Sequence, residues 1–111
     1  MELEVNNFEE INSMKFLVLI KVKAGARPTP EVVLKHKEWV LQRVKSGAME
    51  ASYTFEGSSN GMCILNLKNP EELNALAAAA PMGPYCDVEV HRLTDFAEEM
   101  DRLAAALRGG N

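Results

Sequence analysis

The stretch Pro81-Met-Gly-Pro-Tyr-Cys-Asp-Val-Glu-Val-His-Arg-Leu93 joins a stiff turn to an alternating strand. Its two prolines fix φ and flank a permissive glycine, so the chain has to leave the preceding helix here. The residues that follow alternate with a period of two, which predicts a strand with two different faces. One face is apolar, and the other is polar: Tyr85, Asp87, Glu89 and His91. The polar face either lines a cavity or lies on a solvated edge strand.

Composition limits the alternatives. A chain of 111 residues has room for one domain and one modest core. A net charge of −4 disfavours nucleic acid and anionic membranes as partners. No apolar run is long enough to span a bilayer, and no segment reads as a secretion signal. Cys63 and Cys86 lie in apolar strands outside any CxxC motif, so we expect free buried thiols in a reducing cytoplasm rather than a disulfide or a ligand pair.

The chain divides into three parts. Residues 1–13 are polar and acidic and predict a flexible extension, residues 14–93 predict the folded domain, and residues 94–111 predict a C-terminal helix and tail. Within the domain, residues 15–23 form a strand that is apolar on both faces. A helix follows over residues 30–46, with Thr29 as its N-cap and Gly47 as its left-handed stop.

The remaining elements follow similar signals. Residues 49–56 alternate as a strand with Met49, Ala51 and Tyr53 on one face, and residues 57–61 form a hairpin loop. Residues 62–68 return as a strand that is apolar on both faces. Asn69 caps a second helix that runs to Ala80, and Thr94 or Asp95 caps the last helix. The order βαββαβ with right-handed crossovers predicts an α+β, ferredoxin-like fold with the first and third strands central.

The sheet needs a cover on its second face. Two helices can cover only one face, which would leave Leu17, Leu19 and their third-strand neighbours as an exposed apolar patch. A second copy of the sheet is the simplest cover. The sequence therefore predicts a homodimer in which two protomers pair as a dimeric α+β barrel.

The quoted stretch, written as Pro81-x-x-Pro84-Tyr85-x-Asp87-Val88-Glu89-Val90-x-x-Leu93, resembles the closing strand of the muconolactone isomerase family. A weaker resemblance extends over residues 14–93 and rests on Met14, Phe16, Val18, Lys37, Glu38, Gly47 and Tyr53. The resemblance implies a ferredoxin-like protomer, a dimeric barrel that often assembles further into a ring-like decamer, and no cofactor. It also implies an isomerase that moves a proton within an unsaturated lactone acid.

The chain departs from that family pattern at two places. The family carries a histidine and a lysine where this chain has Leu17 and Leu19, and a tryptophan followed by an arginine where this chain has Tyr53 and Thr54. These differences predict a cavity that is more apolar and poorer in cations. We therefore expect a small apolar carbonyl-containing substrate, with fewer partners for a carboxylate group.

Glu89 and Asp87 are the candidate bases. They share one strand face, and a closed barrel would raise the pKa of a carboxylate there toward that of a useful general base. The alternative is that both are solvated on an edge strand or pair with lysines. His91 lies on the same face, where an imidazole suits proton shuttling at neutral pH, although a surface histidine is the common alternative.

Tyr53 and His36 complete the set of candidates. Tyr53 can donate a hydrogen bond to a carbonyl or enolate oxygen, or it can simply pack in its strand. His36 falls on the inner stripe of the first helix, either as a catalytic group or as a satisfied core histidine. No metal triad, phosphate loop, dinucleotide fingerprint or nucleophile elbow occurs in the sequence.

Two classes of function remain. The favoured one is a cofactor-independent enzyme, either a muconolactone isomerase-like isomerase or a polyketide-type cyclase on the same barrel. The other is a non-catalytic small-molecule-binding or assembly module. An enclosed pocket that contains a carboxylate favours the enzyme, and a barrel filled by side chains favours the module.

Overall fold

The structure is a computed structural model that describes residues 13–109. Most of the predicted N-terminal extension, residues 1–12, lies outside the described residues, as do Gly110 and Asn111. The elements are β1 (Met14–Val22), α1 (Pro30–Ser46), β2 (Met49–Thr54), β3 (Gly61–Leu67), α2 (Pro70–Ala79), a 3₁₀ turn (Gly83–Tyr85), β4 (Cys86–Leu93) and α3 (Phe96–Gly109).

The strands form one antiparallel sheet in the order β2-β3-β1-β4. The two strands that are apolar on both faces, β1 and β3, are therefore the central ones, as predicted. Together with the element order βαββαβ, this confirms the ferredoxin-like α+β fold, with α3 as an addition at the C-terminus.

Local capping fixes the ends of both crossover helices. Thr29 Oγ1 accepts a hydrogen bond from the Val32 amide at 3.2 Å, and Gly47 ends α1 at φ 88°. Asn69 Oδ1 accepts from the Glu72 amide at 3.0 Å and starts α2. Proline at the first helical position suits both helices, because its missing N–H would have no partner there.

The core lies between the helices and one face of the sheet. Its buried side chains are Phe16, Val18, Met49, Cys63, Leu65 and Leu67. Trp39 and Val40 of α1 and Leu73 and Leu76 of α2 pack against them. Within residues 13–109, the helices thus cover only one face of the sheet.

Strand β2 differs from its predicted alternation. A β-bulge lies between Met49 and Ala51, so Met49 pairs with Leu65 on the helix-facing side while Tyr53 pairs with Met62 on the other side. The prediction that Met49 and Tyr53 share a face is therefore wrong, because the bulge adds one residue and reverses the alternation.

The segments that flank β4 refine two further predictions. Tyr85 belongs to the 3₁₀ turn rather than to the polar row of the strand, and its carbonyl oxygen accepts from the Lys23 amide at 2.9 Å. Asp95, and not Thr94, supplies the cap of α3, because its Oδ2 accepts from the Glu98 amide at 3.0 Å.

Helix α3 carries an apolar stripe that is exposed in the described part of the chain. The stripe consists of Phe96, Met100, Leu103 and Leu107, which are 77%, 42%, 49% and 66% exposed. In the described part of the chain, α3 packs extensively on no other element. A stripe of this kind normally packs against another apolar surface.

Candidate functional site

The sheet separates two candidate sites. We call the side away from the helices the open face; its central residues are Leu17, Leu19, Met62 and Ile64, all half-buried. We call the cavity on the other side the cleft; it lies between the helix-facing side of the sheet, α1, α2 and the 3₁₀ turn. The predicted site residues are divided between them.

Asp87, Glu89 and His91 lie together on the open face. The register places each beside an alternating residue of β1: Lys21 pairs with Asp87, Leu19 with Glu89, and Leu17 with His91. Glu89 Oε2 and His91 Nε2 are in direct contact. A carboxylate and an imidazole therefore meet at the margin of an apolar surface.

This pair is exposed in the single chain. The side chains of His91 and Glu89 are 51% and 66% exposed, so water screens the interaction between them. The low-dielectric surroundings expected of a tuned general base require a cover over the open face.

Tyr53 lies on the same face but at the opposite edge of the sheet. Tyr53, Met62, Leu19 and Glu89 form one row of cross-strand neighbours. Three strand spacings separate the ends of this row by about 14 Å. Tyr53 and Glu89 of one chain are thus too far apart to contact the same small carbonyl group.

A second ionic group on the open face was missed from the sequence. Lys15 Nζ lies 2.6 Å from Glu50 Oε1, and Asn66 Nδ2 donates to the same oxygen at 3.4 Å. The hydrogen bond from Lys15 lowers the pKa of the Glu50 carboxyl. Glu50 is the residue inserted by the bulge, so sequence alternation alone gives no signal for this contact.

The cleft has a volume of about 270 Å³. Its lining is mainly apolar, with Val18 and Val88 from the sheet, Trp39 from α1, and Leu76 from α2. The polar or weakly polar side chains in the lining are His36, Ser52, Asn74, Cys63 and Cys86. The cleft opens past β4, because Val88 and Val90 on its helix-facing side remain 55% and 38% exposed.

His36 lines the cleft, separated by the sheet from Glu89 and His91. The Met82 amide donates a hydrogen bond to His36 Nδ1 at 3.2 Å, and the imidazole stacks on Trp39 with ring centroids 5.8 Å apart. Burial lowers the pKa of His36 below its usual value of 6.5. The ring is therefore neutral at pH 7, and because Nδ1 accepts a hydrogen bond, its proton is on Nε2.

The two cysteines also line the cleft, and both are free. Burial raises the pKa of the Cys63 thiol to about 11. Burial and then the nearby Asp87 carboxylate raise the pKa of Cys86, against an opposing effect of Lys23. Both groups are protonated at neutral pH, so neither is an activated nucleophile.

Sequence patterns indicate the cleft only indirectly. Residues 77–80 form an alanine run at the C-terminal end of α2 and its cap, and such small side chains leave space above a sheet. Trp39 of α1 packs on the core and also lines the cleft. No carboxylate from the described residues lines the cleft, so it lacks a strong candidate for a general base.

Metal binding and membrane insertion were both considered for the described residues. No group of three His, Cys, Asp or Glu side chains within residues 13–109 is arranged to hold a metal ion. In the same range, none of the helices has the length and apolar character needed to cross a membrane.

Comparisons with known proteins support the fold. The sequence matches no protein-family model and no curated protein at a significant level. Among solved structures, the crystal structure of muconolactone isomerase at 3.3 Å resolution is similar, with a TM-score of 0.61 and 23% sequence identity. The match covers 74% of this chain and 90% of that chain. The chain therefore has a muconolactone isomerase-like fold.

Proposed function

We propose that this chain is a cofactor-independent isomerase that moves a proton within a small unsaturated lactone or carbonyl compound. The main support is the contact between Glu89 and His91 beside the apolar centre of the open face. The similar fold of muconolactone isomerase is consistent with this reaction class.

The reaction assigns one task to each group. The Glu89 carboxylate removes a proton from the carbon next to the carbonyl, and the electron pair of that C–H bond forms an enolate. His91, in contact with Glu89, relays the proton, which returns to another carbon of the conjugated system. Atoms and charge balance without a cofactor. Asp87 pairs with Lys21 next to the Leu19–Glu89 pair, and its carboxylate adds negative charge near the reacting groups.

A homodimer completes the proposed site. Covering the open face with a second sheet would bury Leu17, Leu19, Met62 and Ile64 and remove water from the carboxylate–imidazole pair. Since about 14 Å separates Tyr53 from Glu89 within one chain, the hydrogen bond to the enolate oxygen would come from Tyr53 of the other subunit. Higher assemblies, such as a decamer, would repeat this unit.

Two alternatives use the same surface differently. A polyketide-type cyclase would use the same base on the open face but would form a carbon–carbon bond. A non-catalytic assembly module would fill the space between two sheets with the side chains of the open face. The free thiols Cys63 and Cys86 are consistent with a reducing compartment such as the cytoplasm for each of these functions.

Glu89→Gln tests the mechanism. Unsaturated lactones and carbonyl compounds are first screened with the wild-type protein by following proton exchange or isomer formation by NMR. With an active compound, Glu89→Gln should reduce turnover by about a hundredfold to ten-thousandfold without changing the fold. Glu50→Gln is a matched control, because it makes the same substitution on the same face at the Lys15 ion pair. Full activity of Glu89→Gln would remove Glu89 from the mechanism.

A further inference from the structure

Helices α1 and α3 both carry apolar side chains that remain exposed within residues 13–109. We call the exposed residues of α3 already described the α3 stripe. On α1, one side packs on the core, but four other apolar side chains are exposed: Val33, Leu34, Leu41 and Val44. At about 100° per residue, these four fall in one sector of the helix, about 120° from its core-facing side. We call them the α1 stripe; Lys37 lies at its centre.

The two stripes match in length and spacing. The α1 stripe spans residues 33–44 and the α3 stripe spans residues 96–107, so each is about 16 Å long. Antiparallel packing of the stripes gives four pairs of neighbouring side chains: Phe96–Val44, Met100–Leu41, Leu103–Lys37 and Leu107–Val33. Three of the pairs are apolar, and in the fourth the aliphatic stem of the lysine covers the leucine while its ammonium group stays in water.

Charges at the helix ends favour the antiparallel direction. Helix α1 has Glu31 in its first turn and Lys45 in its last turn. Helix α3 has Glu98 and Glu99 in its first turn and Arg108 in its last turn. In antiparallel packing, the acidic start of each helix lies beside the basic end of the other, and the helix dipoles are also opposed. Parallel packing would place like charges side by side.

The connection from β4 requires that the two helices come from different copies. Thr94 and Asp95 are the residues between the end of β4 and α3. The Cα atoms of Leu93 and Phe96 are therefore at most about 11 Å apart. Helix α1 packs on β2, at the edge of the sheet opposite to β4 and about 14 Å from it. The α1 stripe also faces away from the sheet, so α3 cannot lie along it in the same chain.

We propose that the α3 stripe docks antiparallel on the α1 stripe of a second copy of this chain. Each copy donates one helix and receives another, and this heterologous contact closes either as a reciprocal pair or as a ring. Two stripes about 16 Å long and about 10 Å wide bury about 300 Å² in total, so two contacts per pair of copies bury about 600 Å².

The area of the open face supports a second copy as the occupant. Pairing two open faces alone would bury about 900 Å², and the helix contacts raise the total to about 1,500 Å². Stable interfaces bury about 1,200–2,000 Å². For this total the inference rests on the proposed homodimer, but the helix contact itself is independent of the proton-transfer chemistry.

A pair of complementary charges tests the contact. Leu41→Lys and Met100→Glu each place a charge at its centre, and both side chains are exposed in the single chain, so both variants should fold. Each variant alone should self-associate at least about tenfold more weakly than wild type in sedimentation velocity. An equimolar mixture should recover part of the loss, because the new ammonium and carboxylate groups then face each other. Gln42→Lys is the matched control, since it adds the same charge on another exposed side of α1.

Cysteine cross-linking tests the position and direction of the helices. A chain with Leu41→Cys and a differently tagged chain with Met100→Cys should form a heterodisulfide when mixed and oxidised. Val33→Cys mixed with Phe96→Cys should not, because antiparallel packing holds these positions about 16 Å apart, beyond the about 7 Å that a disulfide spans. Wild-type chains give the background from the two native cysteines.

Several results would overturn the proposal. One is a Leu41→Lys protein that self-associates as tightly as wild type, and another is a mixture of the two charge variants that recovers no affinity. Weaker association of Met100→Glu alone would show that two α3 helices pair with each other instead. Equal cross-linking of the Val33 and Phe96 pair would exclude the antiparallel contact. None of these measurements depends on turnover, so failure of the Glu89 mechanism and failure of the helix contact are distinguishable.

Discussion

Replacing Leu19 with aspartate places a carboxylate at the centre of the open face. Leu19 is half-buried and pairs with Met62 on one side and with Glu89 on the other. Directly opposed residues have Cβ atoms about 4.5–5.5 Å apart. The new carboxylate therefore lies beside the existing one, with no lysine opposite it in the row.

The cost of this change depends on whether the open face is covered. Two like charges about 5 Å apart repel by about 1 kcal/mol in water and by about 3 kcal/mol at an effective dielectric constant of about 20. Losing a buried leucine adds about 1.5–3 kcal/mol. A symmetric dimer contains the substitution twice, so dimerisation should weaken by at least about 5 kcal/mol, or several thousandfold in Kd.

The size of the open face indicates that such a loss would separate the subunits of the proposed dimer. Four strands at about 4.8 Å and seven residues at about 3.3 Å give a face of about 19 by 23 Å. Pairing two such faces would bury only about 900 Å² in total, whereas typical stable interfaces bury about 1,200–2,000 Å². The open face alone would therefore form only a weak dimer, and burial of the apolar stripe of α3 would enlarge the interface.

Sedimentation velocity over a range of protein concentrations measures the effect. Wild type should be a dimer or a multiple of it, and Leu19→Asp should be monomeric at micromolar concentration. The unfolding free energy of the monomer should fall by about 2 kcal/mol, from charge repulsion in water and from loss of the half-buried leucine. Leu19→Asn is the matched control, because it removes the same apolar contact without the charge. A Leu19→Asp protein that self-associates as tightly as wild type would refute the pairing of sheets, as would a monomeric wild type.

Two other predictions concern His36 and α3. Burial lowers the folded-state pKa of His36 below 6.5, so the unfolded chain binds more protons than the folded chain as pH falls. Urea unfolding between pH 7.5 and 5 should therefore show that the free energy of unfolding decreases below about pH 6.5. The same plot for His36→Gln should have a shallower slope. An identical slope would show that burial of His36 does not contribute. Truncation after Leu93 removes the exposed stripe of α3 and should reduce oligomer mass in light scattering. The unfolding free energy of the monomer should change by less than about 0.5 kcal/mol, because α3 makes few contacts with the other elements of the described chain. Unchanged mass would show that the stripe has no role in assembly.

The features predicted well from sequence are those set by local chemistry or by strand order. Thr29 and Asn69 cap their helices because a short oxygen-bearing side chain is placed next to a proline at the first helical position. The central positions of β1 and β3 follow from apolar residues on both faces. The grouping of Asp87, Glu89 and His91 on one face follows from the period of two in β4.

The features missed depend on one-residue irregularities and on packing volume. The bulge at Glu50 changes which residues share a face with Tyr53, and the sequence 49–56 alternates smoothly through it. The cleft depends on how far α1 and α2 extend over β4, which leaves Val88 and Val90 uncovered. Periodicity predicts that these valines face the helices, but it does not predict whether a helix reaches them.

Strand β4 supplies alternate residues to two separate compartments, and this arrangement makes the protein easy to engineer in parts. Val88 and Val90 can be varied to reshape the cleft while Glu89 and His91 keep their places on the opposite side of the same backbone. A library restricted to the valine positions would therefore sample ligand preference with the proposed proton-transfer pair held constant. A library at the intervening positions would do the reverse, so one eight-residue strand offers two independent sets of choices.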